Sequence, residues 1–201
     1  MKNGIDQDLL CDRLLEVILK DIVPKTQVGV ELGNKIFGAA ILRKSDLSLV
    51  AVGTNQETKN PLLHGEISTL NLFYDLPRSV RPKTQDCLFL STHEPCSLCL
   101  SAITWTGFDN FYYFFGYEET KDTFNIPHDL KILDEVFDIP NGAYVRKNHY
   151  WRCHHISTMV SESKGEHADL INKKVYQINS VYEDLSQSYQ ITKNNNAIPL
   201  S

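Results

Sequence analysis

Two short polar motifs, each at the start of a predicted helix, constrain the fold of this chain most strongly. The first is His64-Gly65-Glu66, and the second is Pro95-Cys96-Ser97-Leu98-Cys99. Cys96 and Cys99 share one face of a helical first turn, so both sulfur atoms can reach a single ion. The positive end of the helix also favours their thiolate forms. The sequence therefore predicts that two helix N-termini meet at one site.

The residue types in these motifs are those of a catalytic zinc site. Zinc prefers imidazole and thiolate ligands, and a catalytic site keeps three protein ligands and one position for water. We expect His64, Cys96 and Cys99 to be the ligands. Glu66 is poorly placed to ligate beside His64, but it can lie next to water, accept its proton and pass it on.

Other interpretations of the same residues remain open at this stage. Cys96 and Cys99 are also compatible with a structural zinc site or a redox pair. A structural site needs a fourth protein ligand, which the adjacent sequence does not obviously supply. Glu66 alone is compatible with a charge that stabilises a helix first turn. These alternatives must explain four residues separately, whereas one catalytic site explains them together.

Length and charge restrict the class of protein. The 201 residues suit one compact domain, and 42% of them are hydrophobic. The net charge of −5 is unlike that of proteins that grip a nucleic-acid backbone. The five cysteines do not suggest a disulfide framework, and no apolar run is long enough for a membrane span. We expect a cytoplasmic protein with a small-molecule substrate and no nucleic-acid or membrane partner.

The order of predicted elements indicates an α/β fold. Hydrophobic periodicity predicts a first helix that ends at Pro24, followed by alternating strands and helices. The strands are expected at 35–42, 48–52, 87–91 and 111–115, and the later helices at 63–74, 95–106 and 129–137. This order implies a mixed sheet with helices on both faces.

The C-terminal part carries an apolar stripe at helical spacing, formed by Ile171, Val175, Ile178, Tyr182, Leu185 and Tyr189. Packing on the domain's own surface is favoured over an intermolecular coiled coil, because the stripe is short. The sequence therefore predicts a main domain at 1–160. Residues 161–201 are expected to form an amphipathic helix and a frayed tail.

The pattern H-x-E followed by P-C-x-x-C resembles the signature of zinc-dependent nucleobase deaminases. The segment 63–70 is similar to fungal cytosine deaminase. The segments 94–105 and 118–122 are similar to bacterial guanine deaminase. Both relatives belong to the cytidine deaminase-like superfamily, and the resemblance covers about residues 37–137.

This resemblance implies a three-layer α/β/α fold with a central mixed sheet of about five strands, to which this chain adds a C-terminal helix. It also implies one Zn²⁺ per chain, held by His64, Cys96 and Cys99, with Glu66 as the proton shuttle, and a homodimer. The implied activity is hydrolytic deamination of a nucleobase or nucleoside.

The substrate is less clearly indicated. The 63–70 match places a cytosine-type base or nucleoside first and guanine second. A transfer-RNA adenosine deaminase and a non-catalytic zinc-binding module are further alternatives. The negative net charge of the chain argues against binding to transfer RNA. The presence of Glu66 argues against a non-catalytic module, which would not need a proton shuttle.

Three residues are predicted to bind the substrate. Asn55 corresponds to an asparagine that holds the base in the relatives, although Asn60 is a rival for this role and a turn residue is the alternative for Asn55. His93 precedes the second motif and can face the pocket or pack beside the strand end. Trp105 can stack on a base or pack within its helix.

Overall fold

The computed structural model describes residues 6–163 and 166–201 and contains a five-stranded mixed sheet. The strands are β1 (Gly38–Arg43), β2 (Leu49–Thr54), β3 (Cys87–His93), β4 (Asn110–Phe115) and β5 (Arg152–His155). They lie in the order β2-β1-β3-β4-β5. Strand β1 runs antiparallel to β2 and β3, whereas β3, β4 and β5 are mutually parallel. The predicted mixed sheet is confirmed.

Alternate residues of the strands enter two separate hydrophobic cores, as the period of two requires. In β3, Leu88 and Leu90 belong to one core and Phe89 to the other. In β4, Tyr112 and Tyr113 divide in the same way. Because helices cover both faces of the sheet, the architecture has three layers.

The described helices are α1 (Gln7–Val17), α2 (Val23–Glu31), α3 (Gly65–Asp75), α4 (Ser97–Trp105), α5 (Tyr117–Asp122), α6 (His128–Phe137), α7 (Ile156–Ser161) and α8 (Glu166–Thr192). Helices α3 and α4 supply apolar residues to the smaller core, and α1, α2, α7 and α8 supply the larger one. Across the described parts of the chain, no helix combines the length and apolar character needed to cross a membrane.

Pro24 does not end the N-terminal helical segment, contrary to the expectation from sequence. A π-helical turn at Ile18–Ile22 connects α1 to α2, and Pro24 lies in the first turn of α2. Proline is tolerated there because the backbone N–H that it lacks would have no intrahelical hydrogen-bond acceptor in the first turn. The chain therefore continues as helix to Glu31.

Helix α8 packs its apolar stripe on the chain's own α/β layers. Ile171, Ile178 and Tyr182 are fully buried, and their core includes residues of α1 and α2. After the helix, Asn196 Nδ2 donates to the Gly33 carbonyl at 3.0 Å, and Ile198 is buried. The division at residue 160 stays a prediction, because α8 contributes to the same core as the preceding elements.

Candidate active site

The starts of α3 and α4 bring the two motifs together. His64 occupies the N-cap position of α3, and Cys96 occupies that of α4. The ligand atoms of His64, Cys96 and Cys99 all lie within 4.8 Å of one another. The two cysteines lie three residues apart at the start of α4, so both side chains lie on the same face of the helix, as predicted from sequence.

The geometry of this cluster fits a tetrahedral zinc ion. His64 Nδ1 lies 3.4 Å from Cys96 Sγ and 3.6 Å from Cys99 Sγ. Zn–N and Zn–S bonds of ordinary length at a tetrahedral angle separate nitrogen from sulfur by about 3.6 Å. Three protein ligands leave a fourth position, which is the arrangement of a catalytic site.

The charges around the cluster favour a bound cation. The adjacent Cys99 and His64 side chains hold the pKa of Cys96 well below its ordinary value despite burial. Burial opposes protonation of His64, but Cys96, Glu57 and Glu66 raise its pKa to about 9. The groups that raise the pKa of His64 are negatively charged, and a bound zinc ion would neutralise part of that charge.

Glu66 is buried beside the cluster. Its Oε1 accepts a hydrogen bond from Ser91 Oγ at 3.0 Å, and its Oε2 accepts one from Cys99 Sγ at 3.3 Å. Burial raises the pKa of Glu66, and the nearby charge of Cys96 acts in the same direction. A carboxyl group with a raised pKa in such a place can both accept and donate a proton.

Gly65 lets the first turn of α3 lie against the start of β1. A Cβ atom at this position would lie 2.8 Å from the Phe37 carbonyl oxygen and 2.9 Å from Gly38 Cα. Such distances are too short for a side chain. The glycine therefore allows α3 to approach the sheet closely, which places His64 and Glu66 on either side of the contact.

Asn55 lies close to the site but does not present a free amide to it. The side chain is fully buried, its Nδ2 donates to Glu57 Oε2 at 2.5 Å, and its Oδ1 accepts from Glu57 N at 3.1 Å. The rival, Asn60, is exposed, and its Oδ1 accepts from Leu62 N within a turn. Base recognition by Asn55 stays a prediction.

The structure brings neither His93 nor Trp105 to the metal-binding cluster. His93 is buried against the rings of Phe37, Phe115, Phe124 and Tyr182, and Thr92 Oγ1 lies 3.0 Å from its Nδ1. Trp105 is 90% exposed at the end of α4, about 9 Å along the helix axis from Cys99. Substrate binding by His93 and Trp105 stays a prediction.

Three charged residues that the sequence analysis did not select lie around the cluster. Lys35 and Glu57 form a buried ion pair, and Glu57 Oε1 is 3.7 Å from His64 Nε2. Burial and the charge of Cys96 raise the pKa of Asp129, in the first turn of α6, well above its ordinary value. Asp129 could have been noticed only as an acidic residue in a helix first turn, which is a weak indication of a functional role. No sequence pattern indicates the ion pair of Lys35 and Glu57.

The comparisons with known proteins agree with this geometry. Residues 17–115, which contain His64, Glu66, Cys96 and Cys99, match the family described as the cytidine and deoxycytidylate deaminase zinc-binding region. Residues 17–115 therefore carry the zinc-binding region of this deaminase family. The predicted resemblance, the fold class and the zinc cofactor are confirmed.

Guanine deaminase of Bacillus subtilis (strain 168) is 31% identical to the chain over 93 residues, which are 45% of this chain and 57% of that enzyme. The match thus spans little more than half of the relative's length. The crystal structure of the B. subtilis enzyme has a TM-score of 0.43 at 22% identity and covers 67% of this chain and 98% of its own. For guanine deaminase from Nitrosomonas europaea the TM-score is 0.46 at 15% identity, with 86% of each chain covered.

Proposed function

We propose that this protein is a zinc-dependent hydrolytic deaminase of a small nucleobase. The observation that carries the proposal is the convergence of His64, Cys96 and Cys99 with a buried Glu66 in contact with one of the thiols. A structural zinc site would need neither an open fourth position nor a buried acid beside it. The arrangement has the parts of a metal-assisted hydrolysis site.

The zinc ion would be held by one imidazole and two thiolates. When bound in such an open site, zinc supplies Lewis acidity that makes water a nucleophile at neutral pH. The chain's own residues then have to move protons, because water must lose one and the departing amine must gain one.

Glu66 is the group placed for this proton transfer. It accepts a proton from the attacking water and gives it to the ring nitrogen next to the amino-bearing carbon. A second transfer through the same carboxylate protonates the amine, which leaves as ammonia while the carbon retains the oxygen of water. The hydrogen bond from Ser91 fixes the carboxylate in place during both transfers.

Guanine is the substrate that we propose first. The support is the 31% identity to a guanine deaminase, together with the guanine-deaminase-like segments 94–105 and 118–122. Asp129 adds an acidic group near the cluster, and a carboxyl group can pair with the amino and imino edge of a purine. This order reverses the expectation from sequence, in which cytosine came first because of segment 63–70.

A substrate panel tests the proposal. Ammonia release is measured with guanine, guanosine, cytosine, cytidine, deoxycytidine monophosphate, adenine and adenosine. The wild-type protein is compared with Glu66→Gln and with Glu31→Gln, a change at an exposed glutamate. We expect guanine turnover by the wild type and Glu31→Gln, and a loss of about 100-fold or more in Glu66→Gln at equal zinc content.

Each outcome of the panel has a distinct meaning. Turnover of cytosine or cytidine instead of guanine would restore the first sequence-based substrate and reject ours. No turnover of any compound by a fully zinc-loaded protein would contradict the enzyme proposal and favour a binding module. Light scattering on the same preparation tests the homodimer, which stays a prediction.

A further inference from the structure

A buried ion pair beside the metal-binding histidine has no role in the mechanism described so far. Lys35 and Glu57 are each only 5% exposed, and Lys35 Nζ lies 3.0 Å from Glu57 Oε1. Removing two charges from water costs several kcal/mol per ion, and a well-packed apolar pair is often equally stable. The presence of the pair at this position therefore calls for a function other than stability.

The carboxylate of Glu57 is held by two donors. Lys35 Nζ donates to Oε1, and Asn55 Nδ2 donates to Oε2 at 2.5 Å. The backbone amide of Glu57 also donates to Asn55 Oδ1 at 3.1 Å. These bonds fix the carboxylate with Oε1 directed to His64 Nε2, at a separation of 3.7 Å.

The imidazole of His64 has its two nitrogens in different surroundings. Nδ1 faces the sulfur atoms of Cys96 and Cys99 at 3.4 Å and 3.6 Å. A neutral imidazole that ligates through Nδ1 carries its proton on Nε2. That N–H then lies next to the negative charge of Glu57, at ion-pair distance rather than hydrogen-bond distance.

We propose that Glu57 is a positioning residue for the zinc ligand His64. Its fixed negative charge favours the proton on Nε2 and leaves Nδ1 free to bind the metal. Lys35 neutralises the buried carboxylate, and Asn55 holds its second oxygen. This inference rests on zinc binding by the proposed site, and it does not depend on which base is the substrate.

Zinc affinity, measured by competition with a chromophoric chelator, tests the proposal. Glu57→Gln removes the charge but leaves Lys35 buried without a partner, so this variant can fail to fold. The double variant Lys35→Met/Glu57→Gln removes both charges and avoids that problem. Thermal unfolding in EDTA verifies the fold of each variant, and Glu31→Gln serves as the exposed control.

We expect the double variant to bind zinc about 10- to 100-fold more weakly than the wild type, with an unchanged unfolding temperature in EDTA. We also expect its cobalt-substituted form to show shifted ligand-field bands, because the orientation of His64 changes. Glu31→Gln should match the wild type in both measurements.

Three results would overturn the inference. The first is a double variant whose zinc affinity stays within about twofold of wild type, which would make the ion pair merely structural. The second is weaker binding with an unchanged cobalt spectrum, since the loss would then not come from His64. The third is a wild-type protein that binds no zinc, and only this result would also reject the proposed function.

Discussion

The Sγ atom of Cys99 lies 3.3 Å from Oε2 of Glu66, so a thiol proposed to bind zinc and the carboxylate proposed to transfer protons are in direct contact. Both groups are buried. A substitution at one of them therefore changes the surroundings of the other. Metal content and turnover must be measured on the same sample if the two roles are to be separated.

Replacement of Cys96 by serine should abolish stoichiometric zinc binding. A serine hydroxyl does not ionise at neutral pH, so one of three ligands is lost. We expect zinc to fall from about one ion per chain to less than about 0.1, measured by elemental analysis after dialysis. Cys153→Ser is the matched control, because this partly buried cysteine lies outside the cluster. Equal zinc in both variants would contradict the ligand assignment.

Gly65→Ala should destabilise the fold. The added methyl group would lie 2.8 Å from the Phe37 carbonyl oxygen, so helix α3 must move away from β1. We expect a loss of about 1–3 kcal/mol in the free energy of unfolding, measured in urea.

Gly29→Ala provides a comparison within a helix. A Cβ atom there would meet Thr54 and Asn55 at ordinary distances of 3.5–3.7 Å. This change should raise stability by about 0.5–1 kcal/mol, because alanine is the better helix former. Similar effects of the two substitutions would show that α3 does not depend on the close approach.

Stability should fall in mild acid because His93 is buried. Burial lowers the pKa of His93 to about 3, whereas an unfolded histidine titrates near 6.5. The unfolded state therefore binds an extra proton between these values. The contribution of His93 to stability is fully present above pH 6.5 and declines as the pH falls toward 3, by up to about 1.4 kcal/mol per pH unit.

Urea unfolding between pH 7 and pH 5 measures this effect. His93→Gln should have a shallower loss of stability than the wild type over this interval, and His149→Gln, at an exposed site, should follow the wild type. Parallel curves for all three proteins would show that His93 does not control the acid sensitivity.

Ile178 and Ile191 offer a matched pair on helix α8. Ile178 is fully buried, and Ile191 is 79% exposed. We expect Ile178→Ala to lower the free energy of unfolding by about 2–5 kcal/mol and Ile191→Ala to change it by less than about 0.5 kcal/mol. Equal effects in denaturant titrations would mean that α8 does not form part of the core in solution.

The cluster of His64, Cys96 and Cys99 could be predicted from sequence because its geometry is largely local. A helical first turn places Cys96 and Cys99 on one face, and His64 needs only one neighbouring helix. The ion pair of Lys35 and Glu57 has no such pattern, since its members are 22 positions apart and meet only through the fold. The role predicted for Asn55 comes from the family resemblance, and no sequence pattern indicates its hydrogen bond to Glu57.

The hydrophobic pattern predicts four of the five strands, whereas only the family resemblance implies a fifth. Apolar runs mark β3 and β4, whereas β5 consists of Arg152, Cys153, His154 and His155 and is partly exposed. A polar edge strand lacks the hydrophobic pattern on which sequence analysis depends. Helices α5 and α7, of six residues each, were too short to show a periodic pattern.

The separation of the two cores by the sheet has a consequence for changing the specificity of the protein. Lys35, Glu57 and Glu66 are buried polar groups near the metal site, and such groups generally reduce stability. The larger core under α8 is almost wholly apolar and can offset that cost. Substitutions that strengthen α8 packing should therefore provide a reserve that lets the pocket accept otherwise harmful changes. Laboratory evolution toward a new base should therefore begin with stabilising substitutions in the larger core, on the face of the sheet covered by α8.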